Sequence, residues 1–300
     1  MGLINCINLL IYLLLLNSCN QPLPNKMQKQ AKYNLENPTL SLKLSRELKE
    51  ISGICYFDEN RAIAIQDELA VLYYLSLTDG AITDSIEFGE DGDYEGITIN
   101  DENIFVLRSD GYIFMIPRKA NDNSQVKKLN TFLDNRYDCE GICYNPQSKN
   151  LLISCKENPD EGQESVRNIY SFSLKNEVLD KNPLFGIRLS DIKNYLDNAT
   201  ENSDSDELKE HFEDANEDFF YPSDIAVHPL TGDIYVCSAK VISLLMVIGQ
   251  DGKIKNMQLI PEEILPQTEG ISFKPNGDLI LCSEGKAKEE RLFIFNTLKD

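Results

Sequence analysis

The sequence predicts an all-β protein, a five-bladed β-propeller of four-stranded antiparallel meanders. Three observations predict it. First, one triplet recurs at the head of an apolar run: Ser52-Gly53-Ile54, Glu95-Gly96-Ile97, Glu140-Gly141-Ile142, Ser223-Asp224-Ile225 and Glu269-Gly270-Ile271. The first residues of these triplets lie 43, 45, 83 and 46 positions apart, and a period in the forties with β-type residues inside each unit is that of propeller blades. Second, the residues after each triplet read as hairpins. In the cleanest copy, Gly96–Ile99 is followed by a turn at 100–103, a strand Ile104–Leu107, a tight turn Ser109-Asp110-Gly111 and a strand Tyr112–Ile116. Third, the last unit supplies only three strands before the chain stops at Asp300, while a spare strand-like segment, Leu40–Leu44, precedes the first repeat. Pairing that segment outside 291–296 completes four strands and removes an exposed edge.

Along the chain, Leu3–Leu16 is an almost unbroken apolar run ending in Leu16-Asn17-Ser18-Cys19. It is too short to span a bilayer comfortably and fits a secretory signal over 1–18, with Cys19 in a lipobox-like setting as the lipidated first residue of the mature chain. Residues 19–38, rich in Gln, Asn, Lys and Pro, read as a flexible tether. The propeller then occupies 39–300. The 83-residue gap holds no triplet near its midpoint, which favours five blades over six. Residues 190–217, with an N-cap at Ser190 and an acidic stretch from Asp204 to Asp214, read as a solvated helical insertion between blades 3 and 4.

The formal charge of −20 argues against nucleic acid as a partner and favours cations or basic ligands. Eight cysteines do not read as a disulfide framework. Cys6 and Cys19 belong to the leader, Cys55 and Cys143 follow the triplet glycine in separate blades, and Cys155, Cys237 and Cys282 end second strands, as small buried residues do. Cys139 alone reads as close to the central channel. Catalytic signatures are scarce: there are two histidines, His211 and His228, with no Gly-x-Ser-x-Gly elbow, phosphate loop or His-Glu-x-x-His motif.

If each triplet begins the innermost strand of a blade, then Ser52, Glu95, Glu140, Ser223 and Glu269 approach the axis at one level, with Asp93, Asp138 and Asp224 beside them. Three glutamates so placed repel unless protonated, hydrated or neutralised, and hard oxygen donors at several angles suit Ca²⁺. The alternative is that each glutamate accepts backbone N–H bonds from a neighbouring blade and glues the ring.

The order of these triplets, with Tyr221-Pro222-Ser223-Asp224-Ile225-Ala226-Val227-His228-Pro229 and Leu265-Pro266-Gln267-Thr268-Glu269-Gly270, resembles the SdiA-regulated (YjiK-type) family over roughly 48–296. That resemblance implies a five-bladed ring similar to NHL-repeat propellers, an envelope location and a calcium site. It carries over to Glu95, Glu140 and Glu269, and more loosely to Asp67, Glu68, Lys156, Glu157 and Glu284 at the ends of second strands. The chain departs from the family pattern at Asp224, where Gly is usual, and at Ala239, where an acidic residue is expected. The resulting expectation is a lipid-anchored, non-enzymatic binding or signalling module of the bacterial envelope, holding Ca²⁺ and an unidentified protein or small-molecule ligand. The competing class is a metal-dependent hydrolase, lactonase or phosphoesterase in type, using the same acidic channel.

Overall fold

The inner strands of this chain are apolar on both sides. In Ile104-Phe105-Val106-Leu107 all four side chains are buried, Ile104 and Val106 with residues of the preceding repeat and Phe105 and Leu107 with those of the following one. A side-chain period of two then requires a neighbour on each face, which stacking sheets around a ring supplies. The structure, a computed structural model, describes residues 32–120, 123–163, 165–199, 204–215, 219–284 and 289–298.

Five antiparallel sheets form the ring. Strand β1 is Leu40–Lys43. Blade 1 is β2 (Ile51–Asp58), β3 (Arg61–Gln66), β4 (Val71–Ser76) and β5 (Ile82–Glu87); blade 2 is β6 (Tyr94–Ile99), β7 (Asn103–Arg108), β8 (Ile113–Pro117) and β9 (Lys127–Leu129). Blade 3 is β10 (Cys139–Asn145), β11 (Asn150–Cys155) and β12 (Val166–Ser173), with its outer strand in two pieces, β13 (Val178–Leu179) and β14 (Phe185–Arg188), both paired to β12. Blade 4 is β15 (Pro222–Val227), β16 (Ile234–Ser238), β17 (Leu244–Ile248) and β18 (Ile254–Leu259). Blade 5 is β19 (Thr268–Phe273), β20 (Leu279–Ser283) and β21 (Arg291–Phe295), completed by β1. The register of that closure runs from Leu40 opposite Ile294 to Lys43 opposite Arg291, as the strand count requires. One sheet thus joins the two ends of the ring, leaving β21 no free edge.

Five apolar clusters alternate with the five sheets, one at each junction of adjacent blades. In blade 1, for example, Ile63 and Ile65 of β3 pack towards blade 2 while Ala62 and Ala64 pack towards blade 5. The innermost strands contact one another in ring order, β2, β6, β10, β15, β19 and back to β2.

Two expectations need correction. Instead of one solvated helix over 190–217 there are two, α1 (Leu189–Asn198) and α2 (Ser205–Glu213), and Arg188 rather than Ser190 holds the N-cap position of α1. Both helices are amphipathic: Ile192 and Leu196, and Leu208 and Phe212, repeat at a spacing of four and are buried in the cluster shared by blades 3 and 4. The acidic residues Asp206, Glu207, Glu210 and Glu213 lie on the opposite, exposed side. The tether expected over 19–38 does not extend through its last residues, because Tyr33 and Leu35 are buried against blades 4 and 5 and the Tyr33 hydroxyl donates to Gly277 O at 2.6 Å. The leader, the remainder of the tether and Cys19 lie outside the described residues.

The triplet glycines set how closely the blades approach. A Cβ on Gly96 would stand 2.9 Å from Ile142 N and 3.2 Å from Gly141 Cα, and one on Gly270 would stand 3.0 Å from Ile54 N. These obstacles are backbone atoms that cannot rotate away. Gly96→Ala is therefore expected to lower stability by about 1–3 kcal/mol through overpacking at the junction of blades 2 and 3. A urea midpoint equal to that of the parent would show that the junction relaxes freely.

Candidate functional site

In every blade the pairing of the first two strands skips one residue, and the residue skipped is the first of the triplet. Register shifts fall between Ile51 and Gly53, Tyr94 and Gly96, Cys139 and Gly141, Pro222 and Asp224, and Thr268 and Gly270. Ser52, Glu95, Glu140, Ser223 and Glu269 are thus five β-bulge residues, and a bulge re-aims its side chain relative to the regular alternation. The residues two places earlier add further acid: Glu50 and Asp138 have left-handed backbones, with φ of 63° and 50°, and Asp93 holds the same place in blade 2.

Backbone hydrogen bonds fix these starts. At the end of β3, Asp67 N–H donates to Glu50 O at 3.2 Å, and Asp67 O accepts from Tyr94 N–H of blade 2 at 2.8 Å. Ser109 repeats the arrangement, donating to Asp93 O and accepting from Cys139 N–H of blade 3, both at 2.9 Å. Lys156 N–H donates to Asp138 O at 2.8 Å, Glu157 N–H to Tyr137 O at 3.0 Å and Glu284 N–H to Gln267 O at 3.1 Å. The ends of second strands therefore lie against the bulged starts of first strands, which is why residues such as Lys156 reach the bulge glutamates.

The bulge residues divide by environment. Glu140 is buried and forms an ion pair with Lys156, whose Nζ also lies 3.9 Å from an Asp138 oxygen. Glu95, half-buried, lies within electrostatic reach of Glu140, Asp93 and Lys156. Glu269, also half-buried, lies on the side of Asp224. Ser223 Oγ donates to Thr268 O at 2.6 Å, tying blade 4 to blade 5. Ser52 Oγ and Asp67 Oδ1 are buried with no hydrogen-bond partner among the described residues, and so is Thr268 Oγ1. Glu157 and Glu284 are half-buried at their strand ends.

Asp224 takes a different part from the other triplet positions. It stands where four blades carry glycine, is fully buried, and accepts the Ile225 N–H on Oδ1 and the Ile271 N–H of blade 5 on Oδ2, each at 2.8 Å. A Cβ on Gly141 would meet Asp224 Cα at 2.8 Å, so the neighbouring glycine makes room for it. At this one position the glue reading describes the contacts, although the carboxylate belongs to Asp224 rather than to a triplet glutamate.

Charge accumulates at the Glu95 and Glu140 side. Burial, followed by the neighbouring Glu140 and Asp93 carboxylates, pushes Glu95 up to about 10. Burial also raises Glu140, with Lys156 opposing it, to about 7. Burial works against the Lys156 charge, but Glu140 and Asp138 hold it above the ordinary lysine range. Sequence reasoning named Lys156 only loosely; its place directly after the second strand, beside a bulge in the adjacent strand, is the signal that identifies it as the counter-ion.

On the other side of the triplet glycines, residues from all five first strands line a cavity of about 420 Å³, among them Cys55, Thr98, Tyr144, Ala226 and Ser272. Arg118 reaches its rim and donates to Asn100 O and Phe57 O at 3.2 Å each.

The family model described as SdiA-regulated matches residues 30–287. The chain belongs to the SdiA-regulated family. No curated protein matches this SdiA-regulated chain in sequence. Among solved structures it is similar to the glutaminyl cyclase of Myxococcus xanthus, at a TM-score of 0.53 and 13% identity, covering 88% of this chain and 97% of that one. It also aligns with a luciferin-regenerating enzyme (TM-score 0.48, 11% identity, 87% of this chain and 96% of that one) and with virginiamycin B lyase from Staphylococcus aureus (0.43, 14%, 85% and 68%). At these identities the first of the three speaks to the fold alone.

The raised carboxyls give the SdiA-regulated ring a pH signature. A group whose folded pKa lies above its unfolded value contributes stability fully present below the unfolded value, here 4.5, and lost as pH rises through the folded one. The losses run through about 7 for Glu140 and about 10 for Glu95. In chelator, Glu95→Gln is expected to gain stability relative to the parent as pH rises from 5 to 9, at no more than about 1.4 kcal/mol per pH unit. Parallel stability curves for the two proteins would remove Glu95 as a strained acid.

Proposed function

We propose that this SdiA-regulated propeller is a binding or signalling module whose acidic mouth, around Glu95 and Glu140, takes a Ca²⁺ ion. One observation carries the reading: Asp93, Glu95, Asp138 and Glu140 gather at two successive bulges around a single ammonium, that of Lys156. Hard carboxylate oxygens suit Ca²⁺, and the buried hydroxyl of Ser52, without a partner among the described residues, is a further oxygen donor in the same ring of bulge positions. Glu269, Glu157 and Glu284 are candidates at the remaining blades.

Among the described residues no three His, Cys, Asp or Glu side chains stand ready to hold a metal ion. Binding in this reading therefore follows a rearrangement in which Lys156 leaves Glu140 and the carboxylates turn inward. Lys156 acts as an internal competitor. Asp224 and Ser223 contribute to the frame instead, since their side-chain oxygens already hold blade 4 to blade 5.

The contacts favour a binding module over a hydrolase. A hydrolase needs a base free to take a proton, and neither histidine is placed as one. His228 Nδ1 accepts from Leu230 and Thr231 N–H at 3.3 and 3.1 Å and packs on Tyr235 and Phe273, so it supports a turn. His211 meets the Phe212 ring edge to face in α2.

Calcium titration with a thermal readout tests the reading. At a concentration 100-fold above Kd, wild-type protein is expected to gain about 2.7 kcal/mol, and Glu95→Gln less. Lys156→Met is expected to be less stable in chelator, because Glu140 loses its partner, and to bind Ca²⁺ at least about tenfold more tightly, because a competing charge a few ångströms away is gone. Melting temperatures of both wild type and Lys156→Met that ignore calcium and chelator would sink the proposal.

We further propose that the ring faces the periplasm or exterior, anchored by lipid on Cys19. Among the described residues no helix is long and apolar enough to cross a membrane. Cys19→Ser is expected to move the protein from the membrane to the soluble envelope fraction, with fractionation and mass spectrometry of the mature end as the check. An intact Met1 in the membrane fraction would favour an uncleaved anchor.

A further inference from the structure

Cys139 opens β10 and Cys155 closes β11, and the two are directly opposed in the strand pairing. Which kind of opposed pair they form follows from their neighbours. Lys156 N–H donates to Asp138 O, and Cys139 N–H turns away to Ser109 O of blade 2. Cys139 and Cys155 therefore occupy a non-hydrogen-bonded position, where Cα atoms stand about 4.5 Å apart, inside the 4.4–6.8 Å span that disulfides bridge. Their sulfurs are 4.0 Å apart, and both residues are fully buried and carry free thiols. The sequence pattern concealed this pair, because cysteines at the ends of second strands read as separate core residues and Cys139 as a solitary channel residue.

We propose that Cys139 and Cys155 close a reversible disulfide across β10 and β11 under oxidising conditions, clamping the start of the innermost strand of blade 3. The sulfurs have to close from 4.0 Å to bonding distance, across a strand pairing whose Cα spacing disulfides span. With a small-molecule disulfide such as oxidised glutathione as oxidant, one protein thiolate attacks its S–S bond and expels one glutathione thiolate, leaving a mixed disulfide. The second protein thiolate then attacks the protein sulfur of that mixed disulfide and expels the other. Two protein S–H bonds become one S–S bond, and two glutathione thiols carry away both electrons and both protons. The hydrogen bond to Cys155, and then burial, hold the Cys139 thiol well above its ordinary range. Exchange accordingly begins in the folding or locally opened chain, and the finished bond is sealed within blade 3.

The proposal stands apart from the calcium reading, although the residues following the two cysteines, Glu140 and Lys156, are themselves ion-paired. Its test uses the full chain refolded with oxidised or with reduced glutathione, alkylated in denaturant, and mapped as peptides without reduction. The expected result is one internal cross-link joining Cys139 to Cys155, and a melting temperature about 3–6 °C above that of the reduced protein, reversed by dithiothreitol. Cys155→Ala is expected to lose both the cross-link and the oxidant-dependent shift. Full alkylation of both cysteines after oxidation, a cross-link from either one to a different cysteine, or an unshifted melting temperature in cross-linked wild-type protein would overturn the proposal. The wild-type readings decide the matter even if Cys155→Ala fails to fold.

Discussion

Close backbone approach between neighbouring innermost strands is the constraint on which the rest of this molecule depends. A methyl group on Gly96 or Gly270 would run into backbone of the next blade, and Gly53 would meet Gly96 Cα at 3.3 Å. With side chains excluded at that level, sheets come together tightly enough for both faces of each to be buried, which is why Ala62–Ile65 of β3, Ile104–Leu107 of β7 and Ile234–Cys237 of β16 are unbroken apolar runs. The bulge before each glycine belongs to the same constraint. Inserting one residue breaks the alternation where the strand bends in towards its neighbours, and it leaves a side chain to aim elsewhere. Architecture and candidate site thus share one origin in the triplet.

Blade 4 shows what happens when the rule is broken. Asp224 places a carboxylate where the other blades have nothing, in surroundings where an unsatisfied charge is expensive. Its two backbone N–H partners, one in its own strand and one in β19, offset that cost, and the second ties blade 4 to blade 5. Burial nonetheless drives its pKa well above the usual carboxylate range. The junction of blades 4 and 5 therefore adds a buried carboxylate bond to the apolar packing it shares with the others, reinforced by the Ser223 hydroxyl on Thr268 O.

The blades and their closure were legible because a triplet and a strand period are local signals that recur, and because a missing fourth strand must be supplied from somewhere. Helical character over 190–217 was legible, with the apolar spacing of Ile192, Tyr195 and Leu196, but the buried face of α2 was obscured by composition. The run from Asp204 to Asp214 is so acidic that the pair Leu208 and Phe212, four residues apart, was outweighed, although that pair fixes the buried face of α2. Tyr33 and Leu35 were hidden similarly, as two apolar residues in a polar segment whose partners Tyr235 and Phe273 lie some 200 positions away. At the site, the glutamates followed from the repeat, but their counter-ion did not. Lys156 reaches Glu140 only because β11 runs back along β10, a pairing between residues 16 apart that no local motif records.

That counter-ion bears directly on what the acidic mouth can do. One ammonium cannot neutralise Asp93, Glu95, Asp138 and Glu140 together, and the imbalance shows in the shifts: Glu95 is pushed up to about 10, whereas Glu140, bonded to Lys156, is raised to about 7. A lysine on a four-carbon stem is a replaceable charge, strongly hydrated once released, whereas the half-buried Glu95 and buried Glu140 carboxylates have no comparable exit. A divalent ion entering here would add one unit of positive charge beyond what Lys156 supplies. It would also set free an ammonium to pair with Asp138 or with water. On the proposed reading, the same cluster that would make the ion-free ring sensitive to pH would make its stability responsive to a cation. Uptake of the ion and release of protons by Glu95 are then two views of a single charge balance.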